Sequence, residues 1–169
     1  PPRQGHAPRP GDRRGTPGGA EERPGQAGHR IRVALECGAD ATPSVIADVI
    51  EQEGYDVRTC GGPEEEGCSL VDHGVCELVE GADVVVNMLR DHEGGREVLD
   101  STLALRRPPA VVVEQSSDQL RSAESAGAAA PGIDANRAVV AQTPVTRDKL
   151  VGAIQAALDQ RDTVTSTGG

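Results

Sequence analysis

Short apolar runs rich in β-branched residues alternate along the chain with longer segments in which apolar residues recur every three or four positions. The first pattern predicts strands and the second predicts amphipathic helices. The clearest strand is ADVVVNM at 82–88, which is apolar enough to be buried on both faces. The five predicted strands cover 31–37, 55–60, 82–88, 108–115 and 135–142.

Helices are predicted after each of these strands. In the first helix, Thr42 can cap the amino end, Pro43 occupies the first turn and Gly54 ends the helix. In the last helix, Thr146 is a good cap residue in front of an apolar face. The predicted helices cover 42–54, a short helix through Val75, Leu78 and Val79 that follows a loop at 61–74, then 93–107, 117–128 and 143–161.

Five successive strand–helix units predict an α/β fold with a parallel, doubly wound sheet, because strands buried on both faces need helices on both sides. Five strands favour the order 2-1-3-4-5. Ligands of such sheets bind beyond the carboxyl ends of the strands. The candidate functional residues are therefore those at the strand ends, namely Glu36, Cys37, Cys60, Asn87, Glu114, Gln115, Gln142 and Thr143.

The periodic pattern is absent from residues 1–29, which are rich in proline, glycine and arginine and contain almost no large apolar side chain. Burial cannot offset the entropy of ordering such a segment, so we expect a disordered tail. A plain tail and a basic arm that binds nucleic acid both fit its composition. The domain itself is predicted over 30–161, and the polar residues 162–169 are expected to be disordered.

The formal net charge of −10 belongs to the folded part, because the tail is net positive. An acidic surface argues against binding to nucleic acid or to anionic membranes. With neither Trp nor Phe and a single Tyr, Tyr55, the chain also lacks stacking platforms for bases. No apolar run is long enough to span a membrane, and the tail lacks the apolar core of a secretory signal, so we expect a cytoplasmic protein.

Two stretches carry a recognisable order of elements. In GADVVVNMLRDHEGGREVL, at 81–99, a buried strand ends at Asn87, and Gly95 follows eight residues later with Arg-Glu-Val-Leu after it. In VVAQTPVTRDKLVGAI, at 139–154, a strand leads to a turn at Pro144 and a helix capped by Thr146. Together they resemble the third and fifth strand–helix units of the receiver domain of bacterial response regulators, and the resemblance covers about residues 30–160.

The phosphorylation chemistry of receivers does not carry over with the resemblance. Asn87 takes the position of the aspartate that accepts the phosphoryl group, and an amide cannot form an acyl phosphate. Glu36 and Cys37 match the pair of acids that holds Mg²⁺ in receivers. They leave one carboxylate beside a soft ligand, so we expect no magnesium site.

The remaining receiver positions have changed as well. Glu114 or Gln115 replaces the Ser/Thr after the fourth strand, and Thr143 replaces the lysine before the turn proline. Losing that cation while gaining Glu114 weakens phosphate binding. Asp91 is the one nearby carboxylate that could serve as a substitute acceptor. Asn87 also has a simpler interpretation, since an amide at a strand end can bond the backbone of a neighbouring loop.

The four cysteines are Cys37, Cys60, Cys68 and Cys76, and seven residues separate each of the last three from the next. Pairs in structural zinc sites are usually closer, so the spacing alone is a weak signal. The predicted strand order places all four near one edge of the sheet, with His73 nearby. A zinc or iron–sulfur site, a disulfide switch between Cys68 and Cys76, and simple burial as small apolar residues all remain open.

The favoured function is a non-enzymatic, receiver-like signalling or protein-interaction module that lacks the phosphoacceptor aspartate. The resemblance implies a partner interface over 143–158, because receivers commonly signal through their last strand and helix. One alternative is a metal- or redox-sensing domain built on the cysteines. A second alternative is a small flavodoxin-type ligand-binding domain that holds a flavin or nucleotide phosphate at the helix start in CGADATPS, residues 37–44.

Overall fold

The structure is a computed structural model that describes residues 29–63, 67–90, 94–125, 133–134 and 136–167. The predicted N-terminal tail lies outside the described residues except for His29. The strands are β1 (Arg32–Glu36), β2 (Asp56–Cys60), β3 (Val84–Asn87), β4 (Ala110–Gln115) and β5 (Val139–Gln142). The helices are α1 (Pro43–Glu51), α2 (Ser69–His73), α3 (Glu77–Glu80), α4 (Gly95–Ala104), α5 (Ser117–Ser125) and α6 (Arg147–Thr167), with a 3-10 turn at Ala39–Ala41 before α1.

The five strands form one parallel sheet in the order β2-β1-β3-β4-β5. This confirms the predicted fold class and strand order. The central strands are buried on both faces, as the apolar runs at 84–86 and 110–113 indicate. All five strands therefore end at one edge of the sheet, which brings residues distant in sequence to one place.

Two layers of helices cover the sheet, and alternate residues of each strand contribute to different layers. On one face Val33, Leu35 and Cys37 pack with Ile50 of α1 and Ile154 of α6. The other face is covered in two parts. Ala34 and Val85 pack there with Leu70 and Val79, and β4 packs against Leu99 and Leu103 of α4. Because side chains along a strand alternate in direction, neighbouring residues at a strand end face opposite layers.

The two predicted helix caps behave differently. The backbone N–H of Lys149 donates to Oγ1 of Thr146 at 3.4 Å, so Thr146 caps α6 as predicted. Thr42 precedes α1 as predicted but adopts a left-handed conformation with φ of 55° and makes no side-chain cap hydrogen bond. A residue before proline usually adopts an extended conformation, so Pro43 does not account for the left-handed geometry of Thr42.

Two elements differ from the sequence prediction. The segment predicted as a loop at 61–74 contains α2, which Gly74 ends in a left-handed conformation, and Val75 lies exposed before α3. At the carboxyl end, 162–169 were expected to be disordered, whereas α6 continues through Thr167. Extending an existing helix costs far less than starting one. In the described part of the chain, no helix is both long and apolar enough to cross a membrane.

Candidate functional site

The site lies at the carboxyl edge of the sheet, where β1 and β3 end side by side. Glu36 and Asn87 are partners in the parallel register, so both side chains point to the same face at the same level. Only 2% of Glu36 and 1% of Asn87 is exposed. Asn87 also pairs in register with Val113 of β4. The structure therefore places Asn87 between the ends of the first and fourth strands, as the sequence predicts.

The Asn87 amide joins the end of β1 to the start of α4. Its Nδ2 donates to Oε2 of Glu36 at 3.0 Å and to the backbone carbonyl of Gly95 at 3.4 Å. Both hydrogens of the amide nitrogen are thus engaged. The interpretation of Asn87 as an amide that bonds a neighbouring loop agrees with the contact to Gly95. The contact to Glu36 adds a buried partner that the sequence did not indicate.

Burial controls the charge of Glu36. Desolvation raises the pKa of this carboxyl from 4.5 to about 7, although the hydrogen bond from Asn87 lowers it in part. A neutral amide stabilises the carboxylate less than a cation would, so it offsets only part of the desolvation cost. Near neutral pH, Glu36 is therefore divided between its protonated and ionised forms.

Gly95 completes this arrangement because it has no side chain. A Cβ atom at this position would collide with the carbonyl group of Leu89 and approach the Arg90 carbonyl oxygen. The N–H of Gly95 donates to that same Arg90 oxygen at 3.1 Å. The sequence points to Gly95 through the receiver resemblance, while its role as an acceptor for Asn87 emerges only from the structure.

A cleft of about 610 Å³ opens beside these groups and is lined by Asn87, Glu114, Gln115 and Thr143 among others. Burial raises the pKa of the half-buried Glu114 carboxyl, and the nearby Arg90 charge lowers it in part. Thr143 bonds the Gln115 carbonyl oxygen through its N–H at 2.9 Å and its Oγ1 at 3.4 Å. Thr143, like Asn87, is therefore occupied by contacts within the protein.

Two exposed charged residues form an ion pair at this edge of the sheet. Arg90 forms an ion pair with Asp40 at 2.9 Å, across the ends of β3 and β1. Neither residue stands out in the sequence, because isolated charged residues are common in loops. Asp91, the candidate substitute acceptor, lies outside the described residues.

The structure does not bring the four cysteine sulfurs together. Cys37 packs with the core on the α1 and α6 face, whereas Cys68 and Cys76 pack on the opposite face. Burial raises the pKa of the half-buried Cys60 thiol, and the neighbouring Glu36, Cys68 and Cys76 act in the same direction, so Cys60 lies on the side of the latter pair. Within the described ranges, no three His, Cys, Asp or Glu side chains form a group that could hold a metal ion. All four cysteines are free thiols.

The prediction that all four would converge fails for a simple geometric reason. Cys37 directly follows Glu36, and consecutive residues along an extended segment point to opposite faces. A raised pKa also keeps the Cys60 thiol protonated at neutral pH, which makes it a weaker nucleophile and a poorer metal ligand. A metal site at Cys60, Cys68 and Cys76 and a disulfide switch between Cys68 and Cys76 both stay predictions.

No protein-family model and no curated protein matches the chain. Several solved structures do match it. A CheY-like receiver domain from Methanospirillum hungatei shares 20% identity, covering 79% of this chain and 98% of its own, with a TM-score of 0.53. A receiver domain from Clostridium thermocellum shares 17% identity over 79% and 98% of the two chains, with a TM-score of 0.54.

A structure named adenylate cyclase from Rhodopirellula baltica is also similar, at 15% identity over 82% of this chain and 94% of that one, with a TM-score of 0.54. At these identities the similarity concerns the fold. It agrees with the parallel sheet in the order β2-β1-β3-β4-β5. The described residues therefore have the fold of response-regulator receiver domains.

Proposed function

We propose that this chain is a receiver-fold module that does not accept a phosphoryl group and acts through contacts with other proteins. The observation that carries the proposal is the state of Asn87. The position that would need a nucleophilic carboxylate holds an amide, and both hydrogens of its nitrogen are bonded to Glu36 and Gly95.

The neighbouring residues support the absence of a magnesium-dependent reaction. Mg²⁺ binds ionised oxygen ligands in an octahedral arrangement. Glu36 has a pKa raised to about 7, so a large fraction of it is protonated at neutral pH. Cys37 packs in the core on the other face of the sheet. One partly ionised carboxyl group is a weak site for this cation.

The far side of the cleft is also unsuited to a phosphoryl group. Thr143 bonds the Gln115 carbonyl oxygen, whereas binding an anion at this position would need a cation. Glu114 lines the same cleft, and its carboxylate would repel phosphate when ionised. Each of these changes acts against phosphate binding, and together they favour a module that responds to protein contacts.

We assign the partner contact to the start of α6, within the predicted interface at 143–158. A groove of about 370 Å³ between α1 and α6 is lined by Val45, Ile46, Val49, Val145 and Leu150. Val45 is 57% exposed at this groove. Asp40, Arg90, Glu114 and Arg147 also line the groove, so it suits a partner segment that carries both apolar and charged side chains.

Acetyl phosphate tests the central part of this proposal. The full chain is incubated with acetyl phosphate and Mg²⁺, and intact mass spectrometry follows the addition of a phosphoryl group. A receiver domain already shown to accept a phosphoryl group from acetyl phosphate, treated alongside, serves as the positive control. We expect no added phosphoryl mass on this chain while the control is labelled.

Labelling of the chain would contradict the proposal. An Asp91→Asn variant then identifies the acceptor, because loss of labelling would assign the chemistry to Asp91. Labelling that survives this change would point to another carboxylate. Either result would make the chain an active phosphoacceptor.

A further inference from the structure

A second cleft lies at the opposite, amino edge of the sheet. It has a volume of about 780 Å³ and is formed by the ends of α4 and α6 and the segments that lead into β4 and β5. We call it the basic cleft because its lining holds four arginines and only one acidic residue. The charged lining residues are Arg106, Arg107, Arg137, Arg161 and Asp162.

This concentration of positive charge contrasts with the rest of the protein. The chain has a formal net charge of −10, yet the basic cleft gathers four of the eleven arginines found from residue 30 onward. Four separate segments supply the lining. A cleft walled by charge of one sign attracts ligands of the opposite sign, and here it does so within an otherwise acidic molecule.

Two of the arginines are held in place by the backbone. Arg137 donates from Nη2 to the Leu103 carbonyl oxygen, and Arg161 donates from Nη1 to the Asp83 carbonyl oxygen at 2.7 Å. The carbonyl oxygens fix both guanidinium groups without neutralising them, and Arg161 also forms an ion pair with Asp162 at 3.5 Å, which offsets part of its charge. Binding to these groups therefore costs less side-chain entropy than binding to mobile arginines.

The other two arginines extend into solvent at the rim. Arg106 and Arg107 are exposed, and neither forms an ion pair with any residue that the structure describes. The fixed arginines and the exposed ones thus present guanidinium groups along the same cleft. Arginine is well suited to such sites because it binds carboxylates through two parallel hydrogen bonds.

The floor between these charges is apolar. Leu103, Pro108, Pro109 and Ala110 line it, and Val164 stands 63% exposed at one side. A simple inorganic anion would use only the arginines and leave this surface in water. A ligand that carries both carboxylates and apolar side chains would use the whole cleft.

We propose that the basic cleft binds an acidic polypeptide segment of a partner protein, with its carboxylates on the arginines and its apolar side chains on the proline floor. Nucleic acid fits this surface less well. The chain has neither Trp nor Phe for stacking bases, and Tyr55 is not part of the cleft.

This inference does not depend on the proposed function. The basic cleft and Asn87 lie at opposite edges of the sheet, and no residue of the cleft takes part in the contacts of Asn87. Labelling by acetyl phosphate would overturn the proposed function and leave the basic cleft as a binding site. If the acidic peptide does not bind the basic cleft, the contacts of Asn87 still support the proposed function.

The test uses the full chain and three fluorescent probes. The first is a peptide with three repeats of Glu-Glu-Leu-Asp, the second has the same length with Gln and Asn in place of the acids, and the third is a single-stranded oligothymidine of equal length. Fluorescence anisotropy gives the affinities, and amide chemical shifts of labelled protein locate the bound peptide. We expect only the acidic peptide to bind, with shifts confined to the cleft, and added salt to weaken binding.

A charge-matched pair of variants assigns binding to the cleft. Arg106→Glu with Arg107→Glu should weaken binding of the acidic peptide about tenfold or more, because two attractive charges become repulsive. Arg58→Glu with Arg121→Glu changes the net charge equally at exposed positions away from the cleft and should leave the affinity within about twofold. Chemical denaturation of both variants confirms that they fold.

Three outcomes would overturn the proposal. The first is equal weakening in both double variants, which would mean that only net charge matters. The second is tighter binding of the oligothymidine than of the acidic peptide, which would make the cleft a nucleic-acid site. The third is no binding of the acidic peptide up to about millimolar concentration, since even a weak specific complex would be seen there.

Discussion

Glu36 and Asp83 are carboxyl groups at opposite edges of the same sheet, and their environments move their pKa values in opposite directions. Burial raises the pKa of Glu36 to about 7, against one hydrogen bond from the neutral Asn87 amide. Burial also acts to raise the pKa of Asp83, but the Arg32 N–H at 2.9 Å, His29 and the Arg32 charge together lower it. In this fold the donors around a carboxyl group decide its charge as much as its burial does.

The same contrast extends to the surroundings of these two groups. At the carboxyl edge, Glu36 and Asn87 are buried and bonded to each other, and Asn87 and Thr143 have their donors engaged within the protein, although Oε1 of the buried Gln115 has no hydrogen-bond partner among the described residues. At the amino edge, Arg137 is anchored on a carbonyl oxygen and Arg106 and Arg107 are exposed to water, so these three keep their charge available, whereas Arg161 pairs with Asp162. The amide and carboxyl groups at the ends of β3 and β1 are thus enclosed within the protein, whereas the basic cleft is open to solvent.

The largest expected effect is that of Asn87→Asp. This change places a second carboxyl group against Glu36 in a buried position, where two negative charges cannot both be stabilised. We expect the free energy of unfolding to fall by about 3–5 kcal/mol at pH 8 and by much less at pH 4, where both groups are protonated. Urea denaturation at the two pH values measures this difference.

Asn136→Asp provides the matched control, since Asn136 is an exposed amide at the rim of the basic cleft. The same chemical change there should alter stability by less than about 0.5 kcal/mol. Equal losses in the two variants would contradict the contrast between a closed edge and an open one.

A smaller effect of opposite sign is expected for Glu36→Gln. The folded state binds the proton more tightly than the unfolded state, so the wild-type protein loses stability as pH rises from 4.5 to about 7. The loss amounts to about 3 kcal/mol once pH exceeds the folded pKa. The substituted amide would carry no charge, so the variant should be more stable by up to about that amount at pH 8.

The measurement is a series of denaturation curves between pH 4 and pH 8. The wild-type profile should fall across this range, and the Glu36→Gln profile should be flatter. Glu97→Gln, on the exposed side of α4, should keep the wild-type profile. A Glu36→Gln profile parallel to the wild type would show that Glu36 is ionised at little cost in the folded state.

The smallest effect is expected for Asp83→Asn. Because the pKa of Asp83 is lowered in the folded state, its ionised form stabilises the protein above the unfolded pKa, and this contribution is lost as pH falls through the folded pKa. Replacing the carboxylate should therefore destabilise the protein by about 1 kcal/mol at pH 7. The difference from the wild type should shrink in acid, as it does for Glu36→Gln, but the two variants differ from the wild type in opposite directions. A destabilisation that persists unchanged to low pH would assign the loss to shape instead of charge.

Much of the fold could be predicted because its signals are local. The β-branched runs at 82–88 and 108–115 mark buried strands, and the order of units led to the sheet order that the structure has. Thr146 caps its helix as predicted, because a cap depends only on residues three positions apart. Thr42 departs from the expected geometry, because its left-handed backbone leaves no side-chain cap hydrogen bond, which the residue type alone does not reveal.

The parts that could not be predicted depend on packing between distant segments. Cys37 was grouped with Cys68 and Cys76, although the alternation of side chains sends it to the other face. The hydrogen bond between Asn87 and Glu36 joins residues 51 positions apart. The basic cleft combines arginines from separate stretches of chain, none of which forms a run that composition alone would reveal.

Gly95 has a practical consequence for protein engineering. It supplies the carbonyl oxygen that holds Asn87, and it has no space for a Cβ atom beside the Leu89 carbonyl group. The acceptor for Asn87 is thus a main-chain oxygen, and any larger residue at position 95 would have to displace the loop at Leu89. An attempt to install a phosphoacceptor would have to change Glu36 together with residue 87. Changing Asn87 alone to aspartate would leave two buried carboxyl groups side by side.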